Sequence, residues 1–169
     1  MRQVFVLVVY GCLLSCQLHA QVSPAMPPEA DQFYHDAMPV VKEPVRSLII
    51  KIAASLKNRN ANADSLTKAL RSNSAVKNLN EDQLKGIATL IMVHASKNAD
   101  DELKKMVLSM NKQNDKSQQK TGNPDESAKD EKQLLLEMIM QHKCRIAEEL
   151  SLVIKSISEN KTDIISHLQ

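Results

Sequence analysis

The stretch LLLEMIMQHKCRIAEELSLVIKSI, Leu134 to Ile157, decides the fold class. Leu135, Ile139, His142, Ile146, Leu150, Val153 and Ile157 recur at steps of three and four residues, the spacing that places side chains on one face of an α-helix. Between Leu134 and Met140 apolar residues go almost all the way round, because Leu134, Leu136, Met138 and Met140 flank that stripe on both sides. A segment of this kind is expected to be buried on several sides. If the shorter helices before it do not cover it, a partner or a second copy does, so these four residues are a candidate interaction surface.

Working back towards the N-terminus, Asn111 to Gln133 is nearly devoid of large apolar residues and is read as a polar linker, flexible at least around Thr121-Gly122-Asn123-Pro124. Before it, residues 32–110 carry a series of helical patterns. Leu103, Met106, Val107 and Met110 form a stripe behind Asn98, whose following Asp100, Asp101 and Glu102 suit the positive end of a new helix. Leu84, Ile87, Ala88, Ile91 and Ala95 mark the preceding helix, opened by Asn80 and Gln83 in the spacing of a capping box. Gly86 inside it costs about 1 kcal/mol relative to Ala. Asn62 or Asp64 can cap a short helix bearing Leu66 and Leu70, and Pro44 opens another with Val45, Leu48, Ile49, Ile52 and Leu56. Pro28, Glu29 and Asp31 suit a first turn leading into Phe33 and Tyr34, while residues 21–31, with Pro24, Pro27 and Pro28, read as an unstructured tether. After Thr162, Ile164, Ile165 and Leu168 form a short terminal helix.

No alternating β pattern interrupts this series. The expectation is an all-α protein: a small irregular bundle of four to six helices, with the polar linker 111–133 before a long C-terminal helical segment, 134–169, that packs on the rest.

Met1 to Ala20 stands apart. Arg2 precedes the apolar run Val4–Leu14, which is too short for a bilayer span of about 20 apolar residues and fits the core of a signal peptide. Cleavage after Ala20 leaves Gln21 first, although Leu18 at the −3 position is larger than the usual small residue. Leu13-Leu14-Ser15-Cys16 also resembles a bacterial lipobox, in which Cys16 becomes the lipidated first residue. A bacterial chain is then either released to the periplasm or medium, or anchored in the envelope through Cys16. In a eukaryotic chain the lipobox is meaningless, the protein is secreted, and Asn160-Lys161-Thr162 is a glycosylation sequon. Loss of residues 1–20 removes Cys12 and Cys16 and leaves Cys144 alone, so no internal disulfide holds the fold, and Cys144 is a candidate for an intermolecular disulfide.

Composition excludes several functions. With only three Gly, at positions 11, 86 and 122, no Gly-rich phosphate cradle can be built. Aromatic residues make up 2% of the chain and the net charge is +2, which supplies neither a stacking platform nor a basic footprint for nucleic acid. Met138, Met140, His142 and Cys144 are soft metal ligands at every second position, but on a helix Met138 and His142 point nearly opposite to Met140 and Cys144. His35, His94 and His167 lie in no metal-ligand spacing, and Asp100-Asp101-Glu102 lacks the pattern of a calcium loop. Glu148 and Glu149 splay around their helix. No catalytic constellation, cofactor or metal is expected, so the chain is not read as an enzyme.

Leu79-Asn80-Glu81-Asp82-Gln83, opening a helix in a chain read as exported, is similar to the L-T-x-x-Q motif of the Spy/CpxP periplasmic chaperones. That resemblance implies a small helical holdase with a concave apolar surface. Asn80 replaces the Thr and a second copy of the motif is absent. The residues themselves point to a non-enzymatic exported protein that binds another protein or assembles with itself. A carrier of an apolar small molecule or lipid, using the adaptable Met-rich interior, is the alternative. Membrane attachment is expected only through a lipidated Cys16.

Overall fold

The computed structural model describes residues 25–56, 62–117 and 126–168. The leader Met1–Ala20, with Cys16, and the segment Thr121–Pro124 lie outside these residues. The described chain is an all-α bundle, as the periodicity predicts. Its helices are α1 (Pro28–Ala37), α2 (Val45–Ser55), α3 (Ala63–Arg71), α4 (Glu81–Ser117), α5 (Glu126–Ile157) and α6 (Lys161–His167). Short 3₁₀ turns at Ser74–Val76 and Ser158–Asn160 join α3 to α4 and α5 to α6.

Three of these starts have a local cause. Pro28 occupies the first position of α1, where a missing N–H costs nothing, and Glu29 and Asp31 face the positive end of the helix dipole. The helix therefore begins inside the stretch read as a tether, and Ala30 is already fully buried. Asn62 caps α3 by accepting from the Ser65 N–H at 3.1 Å. At α4 the capping box closes in both directions: the Gln83 N–H donates to Asn80 Oδ1 and the Asn80 N–H to Gln83 Oε1, each at 2.9 Å.

The centre of the molecule is the first half of α4. Ile87, Ala88, Leu90, Ile91, Met92 and Val93 are all fully buried, so this segment is enclosed on every side. The other helices pack around it, with α5 as its longest neighbour. Gly86 lets α6 approach: a Cβ there would lie 2.5 Å from Ile164 Cγ2 and 3.6 Å from Phe33 Cζ. Lys161 Nζ donates to Asp36 Oδ2 at 2.6 Å, and the Lys42 N–H donates to the Leu168 carbonyl at 3.2 Å, so the C-terminal helix is tied to both ends of the α1–α2 turn.

Three expectations are corrected. No new helix starts at Asn98: α4 runs unbroken from Glu81 to Ser117, about 55 Å at 1.5 Å per residue. Neither Gly nor Pro interrupts the chain there, and Asp100 is held within the helix by an ion pair with Lys143 of α5. The polar stretch 111–133 is helical at both ends, in α4 as far as Ser117 and in α5 from Glu126. Its Lys, Gln, Glu and Ala residues are good helix formers. Finally, the buried stripe of α5 is rotated from the one periodicity assigns. Lys143, Ile146, Ala147, Leu150, Ile154 and Ile157 are buried, Val153 is half-buried and Leu135 is exposed. The aliphatic stem of Lys143 runs through the interface while its ammonium finds a carboxylate, a placement that a charge-based reading of the sequence rejects.

Candidate functional site

Burial along α4 and α5 stops at Asp100 and Lys143. From Asp100 to Met110, and from Glu131 to His142, no side chain is buried. The two helices continue as a two-stranded arm, with the Asp100–Lys143 pair at its base. Counting outward from that pair aligns Leu108 (100 + 8) on α4 with Leu135 (143 − 8) on α5.

At this level the arm is girdled by apolar side chains. Leu108 is 60% exposed, Leu134 59%, Met138 51%, Leu135 46% and Val107 45%. Leu136 and Met140 are half-buried, as are Leu103, Met106, Met110 and Ile139 along the inner seam. The structure thus divides the predicted surface: Leu134 and Met138 face outward, whereas Leu136 and Met140 turn partly towards α4. The sequence reading missed Val107, Leu108 and Leu135 as surface residues. Val107 and Leu135 belong to amphipathic stripes, and periodicity cannot say whether a helix exists to meet them; Leu108 lies off the stripe of its helix.

At the base of the arm, Asn98 and Glu102 of α4 and Ile139 and His142 of α5 surround a cleft of about 20 Å3 closed by Ala53 of α2, too small for a ligand. Burial pulls the His142 imidazole below its ordinary pKa; Arg145 adds to this and Glu102 partly offsets it. Cys144, beside Lys143, is a free thiol and half-buried.

A second polar cluster joins α1 to α4. The Tyr34 hydroxyl lies 2.7 Å from His94 Nδ1, and Lys97 Nζ sits 5.2 Å above the Tyr34 ring while bonding Asp31 Oδ1 at 2.7 Å. Burial, then Lys97, lowers the His94 pKa, and burial raises that of Tyr34. The neutral imidazole is therefore favoured at pH 7, and its Nδ1 shares a hydrogen bond with the phenol. The Lys97 hydrogen bond holds Asp31 below the usual carboxylate range. This cluster clasps two helices, and its members spend their hydrogen bonds on one another.

Two open grooves flank α1. One, of about 490 Å3, is lined by Tyr34, His35, Met38, Pro39 and Arg46, and the Arg46 guanidinium is already engaged by the Met38 and Pro39 carbonyls. The other, of about 400 Å3, lies between α1 and the end of α5, with Phe33, Ile154 and Ile157 on its floor and Glu29, Gln32, Ser158 and Lys161 at its rim.

Among the described residues, no three or more His, Cys, Asp or Glu side chains are grouped to hold a metal ion, and no helix is long and apolar enough to cross a membrane. Asn80 and Gln83, on which the chaperone resemblance rests, are spent on capping α4. No protein-family model matches the chain, and neither a curated protein nor a solved structure matches it significantly.

Proposed function

We propose that this chain is an exported, non-enzymatic binding protein whose α4–α5 arm captures an apolar face of another protein chain. The observation that carries this reading is the distribution of exposed large apolar side chains. Among the described residues seven are exposed, and five of them, Val107, Leu108, Leu134, Leu135 and Met138, lie on the arm. Scattered singly, such residues need no explanation; gathered on a projecting element, they mark an interaction site. A helical hairpin with its inner seam only half-covered is suited to a helical partner, whose apolar stripe completes the bundle.

The test uses the chain from Gln21 onward and a fluorescent dye that reports apolar surface. Dye binding is expected for the parent and is expected to fall several-fold in the double variant Leu134→Glu/Met138→Glu, with helical circular dichroism unchanged. Equal dye binding by parent and variant overturns the assignment. For location, the reading is a secreted or periplasmic protein, or one anchored through an acylated Cys16. The N-terminal mass of the processed chain distinguishes the two.

A carrier of an apolar small molecule is the second reading, favoured by the groove floored by Phe33, Ile154 and Ile157. Native mass spectrometry after gentle purification tests it, since a carrier retains its cargo and an arm-based binder does not.

A further inference from the structure

The two outer edges of the arm carry opposite charge around matching apolar centres, and we infer that the arm's partner is a second copy of this chain, docked edge to edge. The inference rests on the arm being a binding surface and names its occupant. Leu108 follows buried Ala99 by nine residues, two and a half helical turns, so it leaves α4 on the side opposite that buried contact. Leu134 precedes buried Lys143 by the same nine residues and leaves α5 on its far side. The two leucines therefore point out of opposite edges of the arm.

Their surroundings differ in sign. Lys104 and Lys105, four and three residues before Leu108, flank it on the α4 edge, and both are exposed. Glu131 and Glu137, three residues either side of Leu134, flank it on the α5 edge, and both are exposed. The contacts these charges make within the chain are loose and solvated: Lys104 lies 3.9 Å from Asp101, and Glu137 accepts from Gln133 at 3.5 Å.

An α4 edge laid against the α5 edge of another copy runs antiparallel to it, as α4 and α5 do within one chain. If that contact repeats the intrachain register, Leu108 meets Leu134 and Leu135 while Lys104 and Lys105 approach Glu137. Each copy then offers the next the surface it has itself received. This is a head-to-tail contact, which closes into a ring or continues as a row.

Sedimentation across a concentration series, with two reciprocal charge reversals, tests the proposal. The parent from Gln21 onward is expected to self-associate. K104E/K105E alone and E131K/E137K alone are each expected to weaken association at least tenfold, because every copy then presents two edges of like sign. Mixing the two variants is expected to restore it. A parent that stays monomeric up to about 1 mM, where binding is worth only about 4 kcal/mol, overturns the inference. So does association that neither reversal changes. A monomeric parent that still loses dye binding in Leu134→Glu/Met138→Glu fails here while leaving the arm a surface for foreign protein. Unchanged dye binding in that variant sinks the arm itself.

Discussion

Lys143 of α5 is 8% exposed and its ammonium forms an ion pair with Asp100 of α4, at the level where burial between the two helices ends. One cation thus closes the hydrophobic core and fixes the register of the arm beyond it. Neutralising Asp100 leaves the buried Lys143 ammonium unpaired, whereas replacing Lys143 by Met leaves the Asp100 carboxylate, 39% exposed, open to water. Asp100→Asn is expected to destabilise the fold by about 2 kcal/mol, and Lys143→Met by less than about 1 kcal/mol. Urea unfolding midpoints check the order; a larger loss for Lys143→Met contradicts it.

Gly86 is required by a neighbour. The methyl that Gly86→Ala adds meets Ile164 Cγ2 at 2.5 Å, in a core where Ile164 is 1% exposed. Overpacking costs about 1–3 kcal/mol and outweighs the gain of about 1 kcal/mol in helix propensity. In an Ile164→Ala background the same substitution is expected to stabilise. A double-mutant cycle by thermal unfolding measures the sign change.

Stability is expected to fall on mild acidification. Burial lowers the pKa of both His94 and His142 below the ordinary 6.5, with Lys97 and Arg145 as the second causes. The unfolded chain therefore takes up protons before the folded one does, and the folded state loses stability as pH drops through and below about 6.5. Asp31 acts in the same direction but in a lower window: its folded pKa lies below 3.8, so its contribution is lost as pH falls through 3.8 and further. Unfolding free energies at pH 7.5 and pH 5 are expected to decrease in that order, and His94→Gln/His142→Gln is expected to flatten the difference. A rise in stability at pH 5 refutes the assignment.

Amide exchange is expected to grade along single helices. In α4, amides near Leu90 to Val93 sit in a fully buried segment, while those near Val107 and Leu108 lie in the stretch Asp100–Met110, where no side chain is buried. Protection is set by the free energy of local opening, so the distal half of each long helix exchanges first. Uniform protection along α4 at low protein concentration contradicts this.

The cap at the start of α4 is worth about 1 kcal/mol on each side. Asn80→Ala is expected to cost that much, because the Gln83 N–H loses its side-chain acceptor. Thermal unfolding of Asn80→Ala and Asn80→Asp separates the cap from any wider role, since Asp restores the acceptor.

Much of this molecule is written locally. Helix-period spacing, the absence of alternation, the Asn80–Gln83 cap, the Asn62 cap and Pro28 at a helix start all act within four or so residues, and the sequence by itself determines them. The continuity of α4 through Asn98, the burial of Lys143, the need for Gly86 and the exposure of Leu108 and Leu135 depend on residues many positions distant. A leucine stripe says that a surface is apolar, and only the placement of the other helices decides whether it is covered. Here α1, α2, α3 and α6 gather around the first half of α4, so the core forms there and the apolar segment Leu134 to Met140 is left outside it.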